Sequence, residues 1–299
     1  MGTAFGSALR MSSILVLVAV PGWAMAASQQ VDLKLVLATD VSRSIDDTEM
    51  QLEREGTADA FLDPAVINAI QSGALGKIAV AAFDFSSPEM NQVTINWRII
   101  HDRASAIAFA ETLRHTPRSD GRRTSISGAL ETAALLLTSS EADIVTSRNV
   151  IDVSGDGPNN DGNPMQEVHD KIVAQNITIN GLPVMDDAAN GYYPNLDKYY
   201  AGCVAGGKGA FVVVVRKYAD FSAAMRHKLI LEISENANGS QFASTPSPKR
   251  SLLIKVAATN NPPEVLRPDK SYPGGCDVEG GGGGYGRYGG FGGFGGQRR

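Results

Sequence analysis

The chain has 299 residues, and its 27 Lys and Arg against 32 Asp and Glu leave a formal net charge of −5. That balance supplies no basic footprint for nucleic acid. The two cysteines, Cys203 and Cys276, sit in no Cys-x-x-Cys or Cys/His ligand spacing, which argues against a structural zinc.

The N-terminus reads as an export signal. Arg10 supplies the positive charge, Met11 to Val20 a short apolar core, Pro21-Gly22 a break, and Ala24-Met25-Ala26 a small-x-small cleavage site. The apolar stretch is too short to span a bilayer, which needs roughly 20 residues. Residues 1–26 are therefore set apart from the fold. The mature chain is expected to begin near Ala27 and to be periplasmic or secreted, with no membrane span after cleavage.

From 27 to 238, strand and helix patterns alternate. Apolar runs predict strands at 32–39, 77–85, 92–100, 148–154, 177–184 and 211–215. Most are continuous, as expected of parallel strands covered on both faces. The run 92–100 alternates instead (Val93, Ile95, Trp97, Ile99), which suggests an edge strand, antiparallel to its neighbour. Helical patterns cover 46–62, 103–115, 124–138, 164–175 and 218–233. Ser44 with Asp47 offers a capping start for the first, and Asp161 and Asp220 offer N-terminal charges for the last two. This alternation predicts one α/β domain, a doubly wound, mostly parallel sheet with helices on both faces.

Residues 239–279 read as a Pro- and Ser-containing linker or C-terminal extension, able to add a strand or pack on the domain. Residues 280–299 are mostly glycine with interleaved Tyr285, Tyr288, Phe291 and Phe294, and such a tail cannot bury enough apolar surface to order itself. In an oxidising compartment, Cys203 and Cys276 are candidates for one disulfide, with two unpaired thiols as the alternative.

In open α/β sheets, ligands bind outside the carboxyl ends of the strands, where the strand order reverses. Three loops bring polar groups there. The run Val31 to Ala38 leads into Asp40-Val41-Ser42-Arg43-Ser44. The third helix is preceded by Gly121-Arg122-Arg123-Thr124. The run 148–154 leads into Gly155-Asp156-Gly157. Two carboxylates and several hydroxyls arriving at one edge can share a divalent cation, and hard oxygens in small number suit Mg²⁺.

The ordered triplet of Asp-x-Ser-x-Ser, then Thr, then Asp resembles the metal-ion-dependent adhesion site of the von Willebrand factor type A domain, over roughly residues 30–235. Asp40-Val41-Ser42-Arg43-Ser44-Ile45-Asp46, Ala210-Phe211-Val212-Val213-Val214-Val215 and Lys228-Leu229-Ile230-Leu231-Glu232-Ile233 also resemble an uncharacterised family of exported Gram-negative bacterial proteins with this fold. The resemblance implies a Mg²⁺ ion (Mn²⁺ or Ca²⁺ as alternatives) held by Asp40, Ser42, Ser44, Thr124 and Asp156. It also implies a protein partner that places an acidic side chain on the ion. The family's threonine loop is commonly glycine-rich, whereas Arg122 and Arg123 intrude here. They are either contacts for an anionic ligand or solvated loop charges. No enzymatic turnover is implied, and a metal-free structural envelope protein is the bland alternative.

A haloacid-dehalogenase-like phosphotransferase is the rival. It too follows its first parallel strand with an aspartate, here Asp40 as nucleophile, and Gly155-Asp156-Gly157-Pro158-Asn159-Asn160-Asp161 is similar to its later metal loop. That chemistry needs a lysine near the phosphate, and none lies between Lys77 and Lys171. Among other sets, His101, His115, His169 and His227 are scattered, no G-x-S-x-G elbow occurs, and Gly206-Gly207-Lys208-Gly209 lacks the Walker pattern. Tyr192, Tyr193, Tyr199 and Tyr200 read as a packed or rim surface.

Overall fold

The computed structural model describes residues 2, 28–119, 121–139, 143–185, 193–238, 262–270, 272 and 275–277. The export-signal features of Arg10 to Ala26, the tail 280–299 and Tyr192 lie outside the described residues.

In chain order the elements begin with β1 (Gln29–Gln30), β2 (Leu33–Asp40), α1 (Asp47–Leu62), α2 (Pro64–Gln71), β3 (Ile78–Phe85), β4 (Asn91–Ile100), α3 (Arg103–Arg114) and α4 (Ile126–Thr138). They continue with β5 (Ile144–Val145), β6 (Asn149–Gly155), α5 (Met165–Val173), β7 (Ile177–Pro183), α6 (Leu196–Tyr199), β8 (Val212–Val214), α7 (Phe221–Asn238) and β9 (Glu264–Leu266). A π-helical turn, Tyr200–Val204, extends α6.

Seven strands form the main sheet in the order β4-β3-β2-β6-β7-β8-β9. The five inner strands run parallel, while β4 pairs antiparallel with β3, and β9 with β8. This is the doubly wound, mostly parallel sheet expected, with its antiparallel edge at 91–100. The second antiparallel edge comes from the C-terminal segment. A separate two-stranded parallel ladder joins β1 to β5.

Successive residues of β2 serve opposite faces, as the pleat requires. Leu33, Leu35 and Leu37 pack with Phe61, Phe109 and Leu229 under α1, α3 and α7. Val36 and Ala38 pack with Leu130, Ile172 and Tyr200 under α4, α5 and the π turn. Burial on both faces explains why the inner strands read as unbroken apolar runs.

Helix starts differ from expectation in three places. Asp46, not Ser44, caps α1: its carboxylate accepts from Thr48 and Glu49 N–H, while Glu49 accepts from Asp46 N–H at 2.8 Å. Ser44 is committed to a bond across the sheet edge, described below. The helix α2 was not expected; Asp63 ends α1 and then caps α2, with Pro64 in its first turn. Asp161 does not cap α5 but accepts from Gly162 N–H at 3.0 Å. The carboxylate at that helix start is Asp277, which accepts from Met165 N–H at 2.6 Å.

The chain enters the sheet at β2, builds outward to β3 and β4, then crosses back to β6 on the other side of β2. The order therefore reverses between β2 and β6, and the loops leaving those two strands part company at their carboxyl ends. Asp40 closes β2 there, and Asp156 follows β6. No helix among the described residues is long and apolar enough to cross a membrane.

Candidate metal centre

Asp40 ends a strand that is buried save at Thr39, and its backbone turns back on it at once: Ser42 N–H donates to Asp40 Oδ1 at 2.8 Å. The Ser42 and Ser44 hydroxyls lie 3.1 Å apart, and Ser44 Oγ donates to Asp156 Oδ1 at 2.8 Å. Four of the expected ligands thus form one continuous chain of polar contacts across the switch point. Asp40, Ser42 and Asp156 are buried, while Ser44 stands at the exposed mouth.

The fifth, Thr124, is buried and arrives from the opposite loop. Its N–H donates to Asn160 Oδ1 at 3.0 Å, and its carbonyl accepts from Asn160 N–H at 2.8 Å. Ser127 N–H donates to Asn159 Oδ1 at 2.9 Å, so two asparagines bolt the threonine loop to the Asp156 loop. A Cβ on Gly157 would stand 3.6 Å from Thr124 Oγ1, so the two loops are in contact. Ser86 supports the far side: its hydroxyl donates to the Arg123 carbonyl at 2.7 Å and accepts from Arg122 N–H at 2.8 Å. The backbones of Arg122 and Arg123 are fixed in this way, and their side chains are exposed beside the site.

The carboxylates are uncomfortable in this setting. Burial, and then the Asp156 charge, push the Asp40 carboxyl well above its ordinary range, against hydrogen bonds from Ser42. Burial also raises Asp156, opposed by the Ser44 hydroxyl. Behind them, burial pushes Glu53 up to about 8, opposed by the Ser154 hydroxyl that donates to it, with the Asp156 and Asp84 charges adding to the rise.

These residues fit a hard divalent cation. The donors are carboxylate and hydroxyl oxygens, and Asp40 Oδ2 is buried without a hydrogen-bond partner among the described protein atoms. A cation held by these residues would offset the burial that raises both carboxyls, and at Asp40 the Asp156 charge that adds to it. Among the described residues no group of three or more His, Cys, Asp or Glu is placed to hold a metal. An ion here depends on hydroxyls and water as well as the two aspartates, which is the chemistry Mg²⁺ accepts.

Several neighbours were not foreseen. Asn159 and Asn160 lie three and four residues after Asp156, and their place in that loop was the signal that could have marked them. Glu53 and Tyr200 carried no such signal, because only packing brings α1 and the π turn to the carboxyl ends of β2 and β6. Tyr199 and Tyr200 are buried, and the Tyr199 hydroxyl accepts from Asn159 N–H at 3.2 Å and donates to the Cys276 carbonyl at 3.1 Å. Cys203 and Cys276 are joined by a disulfide, Cα atoms 5.4 Å apart.

No curated protein matches the chain. Among solved structures it is similar to the pilus adhesin SpaC from Lactobacillus rhamnosus GG in its open conformation, at 14% identity and TM-score 0.50, over 70% of this chain and 31% of that one. Proximal thread matrix protein 1 from the mussel byssus, with a zinc-occupied MIDAS motif, matches at 13% identity and TM-score 0.47, over 69% of this chain and 49% of that one. A von Willebrand factor type A structure from Catenulispora acidiphila matches at 14% identity and TM-score 0.43, over 67% and 42%. The chain spans less than half the length of each, and identities this low speak to the fold alone. Residues 30–237 match the model of a family described as a protein of unknown function, DUF1194, and the chain belongs to that family.

Proposed function

We propose that this chain is an exported protein-binding module that engages its partner through a Mg²⁺-type ion held by Asp40, Ser42, Ser44, Thr124 and Asp156. The observation that carries the reading is the unbroken polar chain from Asp40 through Ser42 and Ser44 to Asp156 at the switch point. When bound, the ion supplies a Lewis-acidic position for an oxygen ligand from outside, such as an acidic side chain of a partner protein. Ser44 at the mouth and the exposed Arg122 and Arg123 form the rim that such an acid meets. Asp40 and Asp156, buried and raised, gain most from the cation.

Turnover of a phosphate ester is disfavoured because two buried cations that could neutralise a phosphate are already paired. Lys228 is buried against Asp152 and lies 3.6 Å from Glu232, so its charge is committed. Arg54 is committed to Asp84 at 2.7 Å. Export is supported by the signal-like N-terminus and by a disulfide, which persists in oxidising compartments.

The test is thermal melting of the full-length chain in Mg²⁺ and in chelator. The wild type should melt higher in Mg²⁺, and Asp40→Ala should abolish the difference. An equal Mg²⁺ shift in that variant would contradict the assignment. Hydrolysis of aryl phosphates by the wild type, lost in Asp40→Ala, would favour the phosphotransferase instead.

A further inference from the structure

Tyr200 heads the π-helical turn and its ring is fully buried. It packs on β7 so closely that a Cβ on Gly181 would come within 2.7 Å of its Cδ1. The turn is fixed on several sides. Ala205 N–H donates to the Tyr200 carbonyl at 2.8 Å, and Asp269 N–H donates to the Ala201 carbonyl at 2.9 Å. Cys203, in the same turn, is tied to Cys276. The tyrosine ring has no room to swing.

Its hydroxyl reaches the metal centre from behind. A Cβ built on Gly155 would stand 2.9 Å from Asp40 Oδ2 and 3.0 Å from the Tyr200 hydroxyl. The two oxygens flank one small space over a glycine, within reach of a single bridging water. Neither has a hydrogen-bond partner among the described protein atoms. Leaving two such buried groups unmatched is costly, and a phenol donor can serve the carboxylate oxygen while leaving it a lone pair for the cation. Ser42 N–H serves Oδ1, which leaves Oδ2 to be held from this side. A phenol carries its proton at neutral pH, so the Tyr200 hydroxyl faces the carboxylate as a donor.

We propose that Tyr200 is a positioning residue for the metal centre: its hydroxyl bonds Asp40 Oδ2, directly or through one water, and fixes the carboxylate in the orientation the cation requires. The inference rests on the metal-site reading above. Groups that orient metal ligands change affinity by about 10–100-fold when removed. Gly155 is needed for the same reason, since any side chain there fills the space that the two oxygens share.

The experiment is Mg²⁺ titration calorimetry on the full-length chain, with melting in chelator alongside, for wild type, Tyr200→Phe and Asp40→Ala. The expected result is binding by wild type, none by Asp40→Ala, and about 10–100-fold weaker binding by Tyr200→Phe with its metal-free melting nearly unchanged. A purely structural tyrosine would do the reverse, lowering the metal-free melting and leaving the affinity alone. Wild-type affinity in Tyr200→Phe overturns the role of Tyr200 and leaves the metal site standing; no binding by wild type overturns both. A crystal structure of the wild-type chain with Mg²⁺ is the arm that does not depend on a variant folding. A Tyr200 hydroxyl bonded to Asp40 Oδ2, or sharing one water with it, supports the assignment, and a hydroxyl bonded elsewhere overturns it.

Discussion

The Ser44 hydroxyl donates to Asp156 Oδ1 at 2.8 Å across 112 positions of sequence, and it is the exposed member of an otherwise buried set. A partly exposed hydrogen bond contributes about 0.5–1.5 kcal/mol, so the fold does not depend on it. The role proposed for Ser44 as a metal ligand at the mouth is another matter. Ser44→Ala should keep metal-free melting within a few degrees of wild type while weakening Mg²⁺ binding about tenfold or more. Calorimetry on the purified variant checks both halves, and undiminished affinity would remove Ser44 from the ligand set.

Glu53 makes the metal-free chain sensitive to alkali. Its folded-state carboxyl titrates at about 8 against an ordinary 4.5, and Asp40 and Asp156 are shifted in the same direction. A raised acid binds more protons folded than unfolded. Its stabilisation is complete below pH 4.5 and is lost as pH climbs through about 8. Urea unfolding in chelator should therefore show stability falling from pH 5 to pH 9, by on the order of a few kcal/mol. Glu53→Gln keeps an acceptor for Ser154 and should make that slope shallower, with Asp40, Asp156 and Asp152 supplying what is left. A rising profile in the wild type would count against the whole arrangement.

Strands β2, β3, β6 and β7 were legible because burial on both faces leaves short, largely apolar runs between polar loops. The ligand residues were legible for a related reason, as polar groups placed directly after such runs. Helix α1 was read at 46–62 and lies at Asp47–Leu62, but its inward face could not be read, because it carries Glu53, Arg54 and Thr57, all buried. Polar residues there serve one another and the site, so the apolar periodicity that marks a helix face is broken. The place of Tyr200 behind the site lay beyond reach because it depends on a π turn and on a disulfide closing from the far end. Helix α2 was missed for a local reason: the Asp63-Pro64 start was present, but it follows α1 without a loop.

Lys228 is the sharpest test of the interior. Its side chain is fully buried against Asp152, 3.6 Å from Glu232, and Asn180 donates to Glu232 Oε1 at 2.8 Å. Burial and then the Glu232 charge push Asp152 up to about 8, with Lys228 opposing them. Lys228→Met removes the cation and strands two buried carboxyls side by side. Breaking one partner of a buried pair costs about 3–5 kcal/mol. Urea unfolding at neutral pH measures it, and a loss below about 1 kcal/mol would mean the triad is not a pairing that matters to stability.

The disulfide does more than close a loop. Its 73-residue span would give about 4 kcal/mol through the unfolded state alone. It also secures the segment that brings β9 to the sheet edge and Asp277 to α5. That helix has Pro164 at its cap position, without a side-chain cap of its own, and Asp277 fills the role at 2.6 Å. Arg216 pairs with Glu264 on β9 at 2.5 Å, but an exposed pair of this kind contributes little. Cys276→Ser should therefore release β9 and the Asp277 cap together. Amide exchange should quicken along β8 and in the first turn of α5, and stability should fall by more than Asp277→Ala costs, about 1 kcal/mol for a lost cap. Exchange that quickens at α5 while β8 stays protected would mean that the strand is held by its ladder and not by the bridge.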